Sequence, residues 1–319
     1  MQRERTKKSH VDSRIGSRTR FWILLLCTNV IVGIMLVVVL SVQRRDTGDD
    51  WNRMLSAVAD EKASALDGDI QQQLGNVVVL AHTRSASQLG LGQTPVVIPG
   101  EPTLQDRLLN IFESARSNYR YSQVMLTTSQ GIPIVALPDA RHVVPHLEGL
   151  VVTALATGKP QFIDVFVDSD GHVLVGYVGP VFDPSGVPAG AVVALADPKT
   201  TLFGTLTIAA PLMNTGETVL LRRSTADQDA GTGIEIIYTP DLALPVGDTG
   251  VQVLNTQQFF SSAIQGTLSP GSYSDPQGQS MMGVARLVPS AGWVIVAGVS
   301  MKEALGDFVK TGVLESVLS

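Results

Sequence analysis

The sequence predicts an α+β chain: an N-terminal transmembrane helix, a long stalk helix, and two tandem modules that each hold a five-stranded antiparallel sheet. Three observations carry this. Phe21 to Val42 is a run of 22 residues without a charge. From Trp51 to about Leu89 apolar residues recur at steps of three and four, as on one face of a helix. Beyond that, one order of elements (helix, two strands, helix, three strands) occurs twice, and its strands are joined by the same glycine-closed polar turn.

Residues 1–20 form a basic tail with seven Lys/Arg against two acids. As a helix, the uncharged run after it is long enough for a hydrocarbon core of about 30 Å. A cleaved leader would carry a shorter apolar stretch of about 7–15 residues and then an A-x-A-like site; "LSVQRRD" offers none. An uncleaved anchor spanning 21–42 is expected. Only Arg44 and Arg45 come close behind it, which places the N-terminus in the cytoplasm and residues 46–319 outside the inner or plasma membrane. The extracytoplasmic part has no cysteine, since Cys27 is the only one, so disulfides contribute nothing there.

The stalk helix carries Trp51, Leu55, Val58, Leu66, Ile70, Leu74 and Val77 on one side. Asp49 or Asp50 is placed to cap its start. Gly68 and Gly75 lower its propensity, so a bend near one of them is expected. The Gly/Pro-rich stretch 90–103 is a loop that ends the stalk region 46–103. The first module, 104–206, opens with a helix from Leu104 to about Asn118. "YSQVMLTT" and "IPIVALP" form a hairpin around "SQG". Residues 145–158 are helical and close on Gly158. "QFIDVFV", "HVLVGYVGPVF" and "VPAGAVVALAD" complete five strands, with the turns Asp168–Gly171 and Asp183–Gly186 between them. The second module, 207–300, repeats this order with strands at 216–223 and 233–239, a helix at 255–266 and three further strands up to Ser300. An amphipathic juxtamembrane helix is expected over 301–319.

This arrangement resembles the double Cache (dCache) sensor domains of bacterial transmembrane receptors, in which two PAS-like modules hang on one long N-terminal helix. The likeness is carried by the anchor and the Trp51–Leu89 helix, by "GPVFDPSGVPAGAVVALADP" closing the first module, by "GETVLLRR" opening the second and by "SAGWVIVAGVSMKEAL" closing it. The resemblance implies two PAS-like (Cache) modules, the first membrane-distal and the second membrane-proximal. It also implies a small ligand in the distal module, with signal passed toward the membrane. Amine-binding members of the family carry an Arg-x-Trp-Tyr cluster and an aspartate on the last distal strand. Only the aspartate is matched here, by Asp197.

Six residues are candidates for a ligand site: Tyr121, Arg141, His142, Asp164, Tyr177 and Asp197. Asp164 shares a strand face with Phe162 and Phe166, Asp197 with Val193 and Leu195, and Tyr177 with Val173 and Val175. A carboxylate on an apolar face needs a partner or nearby solvent. Such groups would favour a cationic or polar ligand. Two plainer roles stand beside this one: Asp197 as the cap of the next helix, and Asp164 as the partner of an arginine. No metal site is expected. His142 and His146 are four apart, but Pro145 disfavours helix between them, so they straddle a helix start. "DSDG" at 168–171 lacks the first acid of a calcium loop and reads as a turn.

No nucleophile elbow, phosphate-binding loop, zinc-protease or Cys-x-x-Cys motif occurs, so no enzyme activity and no cofactor are expected in these residues. The net charge is −6 with the basic residues concentrated in the tail, which argues against nucleic acid as a partner. The expectation is the input region of a sensor histidine kinase, diguanylate cyclase or chemoreceptor whose output module lies elsewhere, dimeric through the stalk helix. The competing expectation is a tethered structural or protein-interaction module with a filled core and no small ligand.

Overall fold

The computed structural model describes residues 17–92, 102–139, 142–206, 213–223, 234–239, 258–275, 277–304 and 306. Helix α1 runs Ser17–Ala81. Residues Met1–Asp50 with Phe308–Ser319, and Trp51–Asp307, form two separate compact units. Because α1 continues through residue 50, Asp49 and Asp50 do not cap a helix start, contrary to the sequence expectation. Among the described residues no helix is long and apolar enough to cross a membrane. Part of Phe21–Val42 has its side chains outside that set, while Trp22, Leu26, Val30, Ile31 and Met35 are described and exposed.

In the second unit the apolar stripe of α1 backs two sheets in turn. Leu55, Val58 and Ala59 pack with Val284, Ala297 and Val299. Leu66, Ile70, Leu74 and Val77 pack with Val124, Tyr177, Val192 and Ala194. Gly68 and Gly75 lie inside unbroken helix, so neither interrupts it. The break comes instead at His82–Thr83. Thr83 is extended (φ −73°, ψ 139°), and its hydroxyl donates to Leu80 O at 2.9 Å while His82 Nδ1 meets Val78 O at 2.8 Å. Side chains thus add a second donor to carbonyls that the backbone N–H groups of His82 and Thr83 also reach, at 3.0 and 3.3 Å. A separate helix α2, Arg84–Gly90, comes next.

Helix α3 (Leu104–Tyr119) starts in a capping box between Thr103 and Asp106, which satisfies two of its free N–H groups. The first sheet has strands β1 (Gln123–Thr127), β2 (Pro133–Leu137), β3 (Gln161–Val167), β4 (Val173–Phe182) and β5 (Pro188–Ala196), in the order β2-β1-β5-β4-β3. Helix α4 (Leu147–Thr157) closes at Gly158 with φ 65°, as the sequence predicts. Alternation splits the sheet into two faces. Val124, Leu126, Val175, Tyr177, Val192 and Ala194 lie toward α1 and α3. Met125, Ile163, Leu174, Val193 and Leu195 lie toward α4.

A short helix α5 (Pro198–Thr201) and a 3₁₀ turn lead to the second sheet. Its strands are β6 (Glu217–Arg223), β7 (Ile234–Tyr238), β8 (Gly271–Ser274), β9 (Ser280–Val288) and β10 (Trp293–Ser300), ordered β7-β6-β10-β9-β8, with helix α6 at Gln258–Ile264. The two sheets therefore have the same strand order, shifted by five. Leu202, Phe203 and Leu206 join Leu220, Ile237, Trp293 and Ile295 in one core with the α1 face of the first sheet. Of the expected C-terminal helix, Met301–Ala304 and Gly306 are helical; the rest lies outside the described residues.

The repeated turn is one structure made four times. At Asp183 the backbone N–H groups of Ser185 and Val187 donate to Oδ1 at 2.8 and 2.7 Å. Gly186 takes φ +82°, a conformation that costs glycine little. Asp168 receives Asp170 N and His172 N at 2.9 and 2.7 Å, with Gly171 at φ +83°. Asp275 and Thr128 build the same loop, closed by Gly278 and Gly131.

Candidate functional site

A cavity of about 380 Å³ opens on the α4 side of the first sheet, lined among others by Ser122, His142, His172, Leu174, Asp197 and Lys199. Four segments build it. Ser122 stands just before β1 and donates its backbone N–H to Leu195 O at 2.8 Å. His172 is the residue after the Asp168 turn. Asp197 follows the last residue of β5, on the parity of Val193 and Leu195, and its Oδ1 accepts Lys199 N at 2.8 Å. The plainer role expected of Asp197, capping α5, is therefore present. The same residue also faces the cavity.

His142 comes from the segment before α4. It and His146 both precede Leu147, the first residue of α4, rather than straddling the helix start as the sequence predicts; His146 is the N-cap, in a left-handed conformation (φ 54°). His142 turns toward Asp168 instead. Its Nδ1 and that of His172 both meet Asp168 Oδ2, the latter at 3.2 Å. The two rings stand edge to face with centroids 5.8 Å apart. Asp168 is buried, which pushes its carboxyl up, but hydrogen bonds from the His172 backbone, both imidazoles and Asp170 outweigh this. The net position is below the ordinary carboxylate value.

The other candidates are elsewhere. Tyr121 and Tyr177 lie on the opposite, α1 face of the sheet, buried in the core. Tyr121 donates to Gln73 Oε1 at 2.6 Å. Burial raises both phenols, and Tyr177 is raised further by Tyr121 and Asp69. Asp164 joins the two sheets: its Oδ1 accepts from Trp293 Nε1 at 2.9 Å and pairs with Arg222 at 3.1 Å, the plainer of its two expected roles. Arg141 lies outside the described residues. So His142 and Asp197 meet at the cavity, and Tyr121, Tyr177 and Asp164 do not reach it.

Ser122, Asp168, His172 and Lys199 are site residues that the sequence pattern does not single out. Asp168 and His172 show in it only as a glycine-closed turn. Nothing in the pattern tells that a histidine 26 residues earlier closes on the same carboxylate.

Two five-stranded sheets of identical order, backed by one long helix, constitute the double Cache fold that the sequence resembles. Solved structures with this fold include domains described as extracellular. The chain matches the extracellular domain of a protein described as a histidine kinase, mmHK1S-Z2, at 14% identity and a TM-score of 0.52, covering 80% of this chain and 98% of that one. It matches the ligand binding domain of Mlp24 with asparagine at 16% identity and a TM-score of 0.50, covering 83% and 98%. An extracellular ligand binding receptor from Desulfohalobium retbaense DSM5692 matches at 14% identity and a TM-score of 0.48, over 77% of this chain but only 40% of that one. No protein-family model and no curated protein matches the sequence.

Proposed function

We propose that the chain is the extracytoplasmic sensing region of a membrane-anchored receptor, binding a small polar molecule in the cavity beside Asp197. The cavity carries this reading: its volume of about 380 Å³ suits a small ligand, and a few polar groups converge on an apolar floor. Asp197 offers an anion and Lys199 a cation, so a cationic or zwitterionic ligand is favoured. Asparagine, the compound bound in the Mlp24 structure, belongs to that class. The Arg-x-Trp-Tyr cluster is not matched in this chain, so another set of contacts would hold an amine.

The anchor belongs to the same reading. A helix that exposes Trp22, Leu26, Val30, Ile31 and Met35 is stable in lipid and costly in water. Pairing of two chains along α1, where Met54 and Val79 remain exposed, completes it; a monomer by sedimentation in detergent would remove that part. The output would be a kinase, cyclase or chemotaxis module.

The test is thermal unfolding of the full chain in detergent against amino acids, amines, carboxylates, sugars and purines. A ligand at 100 times its Kd adds about 2.7 kcal/mol, a shift of several degrees. Asp197→Asn is the informative variant, because asparagine caps a helix as well as aspartate does. The expected result is a shift in the parent that is lost in Asp197→Asn while the ligand-free midpoint stays put. No shift across the panel would overturn the small-molecule reading in favour of a protein-interaction module.

A further inference from the structure

We propose that His142, Asp168 and His172 form a binding site for a divalent transition-metal ion, Zn²⁺ in type, at the wall of the first-module cavity. Two imidazoles and one carboxylate are donors that such ions favour over Mg²⁺ or Ca²⁺. Here they come from two loops, with one ligand atom from each lying within 4.8 Å of the other two. Around a tetrahedral ion with bonds of about 2.0–2.1 Å, donors stand about 3.4 Å apart. Rotation of the His172 side chain, which is 63% exposed, can close the difference.

The repeated turn serves as an internal control. Asp183 and Asp275 make the same loop through Oδ1, with Val187 and Gln279 at the position of His172. Neither aspartate is buried. Building the turn therefore needs neither a histidine nor a buried carboxylate. At Asp168 the turn uses Oδ1, and the second oxygen, Oδ2, is left facing two imidazole nitrogens from two directions. One negative oxygen with two nitrogens around it can hold two protons or one cation. The turn also fixes Asp168 in place, as the partners of a ligating carboxylate do in metal sites. Both histidines line the cavity, so a three-donor site would leave its remaining position toward that space, as in sites that exchange a ligand. The inference rests on the sensing reading for its purpose, since the ion would either be the signal or hold it. Its chemistry stands alone.

The experiment is calorimetric titration of the full chain in detergent with Zn²⁺ alone. It is run near pH 7.5, above the ordinary imidazole value of about 6.5, because ligands must be deprotonated. One equivalent should bind, unaffected by excess Mg²⁺ or Ca²⁺. Affinity should fall on the order of tenfold or more in His142→Ala and in His172→Ala, and stay unchanged in His82→Ala and His146→Ala. Asp168→Asn guards against loss of fold, because asparagine keeps the turn acceptor but offers the ion no charge. It should weaken Zn²⁺ binding while leaving the unfolding midpoint near that of the parent. No binding, or binding that survives His142→Ala, His172→Ala and Asp168→Asn, would overturn the site. The small-molecule panel repeated in a chelator separates the two proposals. Shifts that persist there in a chain that binds no Zn²⁺ sink the metal site alone; Zn²⁺ binding with a silent panel sinks the small-molecule reading alone.

Discussion

A carboxylate has two oxygens, and in this chain several aspartates commit one of them to the backbone. Asp183 and Asp275 spend Oδ1 on a turn and lie partly open to solvent. Asp168 and Asp197 spend it likewise on a turn and a helix cap; Asp197 lines the cavity, and Asp168, buried behind it, turns its second oxygen to the two imidazoles that do. Their backbone roles were legible, since Asp-x-x-Gly and Asp-Pro are local signals. The meeting of His142 with Asp168 was not, because no periodicity relates a loop to a turn 26 residues on. Two tyrosines give a sharper residue-scale test. Tyr121 holds Gln73 at 2.6 Å, whereas the Tyr177 hydroxyl is buried without a hydrogen-bond partner among the described residues. Tyr121→Phe should cost about 1 kcal/mol, while Tyr177→Phe should be neutral or stabilising by about as much, since it removes an unsatisfied group. Urea unfolding of the two variants beside the parent reads both signs.

At the scale of elements, strand β3 of the first sheet and strand β6 of the second are held by Arg222. Its Nε donates to Glu235 Oε2 at 2.6 Å and its Nη1 to Val165 O at 2.6 Å, with Asp164 Oδ1 at 3.1 Å. Trp293 adds its indole N–H to Asp164 and its ring edge to Phe162, centroids 5.3 Å apart. The Arg222 side chain is 12% exposed and that of Glu235 8%, so this is a desolvated pair. Arg222→Ala should cost about 3–5 kcal/mol. Arg286→Ala, which breaks a pair with the largely exposed Asp60, should cost no more than about 1 kcal/mol. A calorimetric scan of both variants decides between them. Strand alternation and turn glycines made nearly every element legible before the structure. The break at His82–Thr83 was not, because propensity points to Gly68 and Gly75, whereas the helix is stopped by side chains competing for its last carbonyls.

Across the whole chain, the sequence repeat correctly announced two copies of one sheet. What joins them is less legible, since Asp164, Arg222 and Trp293 belong to three separate strands. A second tie closes the end of the second sheet. Glu303 accepts from the backbone of Asn214 at 2.8 Å and of Thr215 at 2.7 Å, and from the Thr215 hydroxyl at 2.5 Å. Burial pushes this carboxyl up, yet the three donors hold it below its ordinary value of 4.5. A depressed folded value contributes stability above the unfolded value and loses it as pH falls through the folded one. The parent should therefore be more stable than Glu303→Gln at pH 7, and the gap should narrow below about pH 4.5. Urea midpoints at pH 7 and pH 4 test this; an unchanged gap would mean that the carboxylate charge contributes nothing at this joint.

The order β2-β1-β5-β4-β3 and its copy β7-β6-β10-β9-β8 put the last strand of each sheet in the middle, between the first and the fourth. During synthesis, β1 and β2 can pair early as a hairpin, but the inner edge of β1 stays open until Pro188–Ala196 has emerged. The edge of β6 waits in the same way for Trp293–Ser300. Each half must keep an unfilled slot for most of its own length, and open strand edges are where chains join wrongly. A ribosome stalled before Trp293 would thus present a finished first half beside a second half with its central place vacant. That species is the one a chaperone would have to hold.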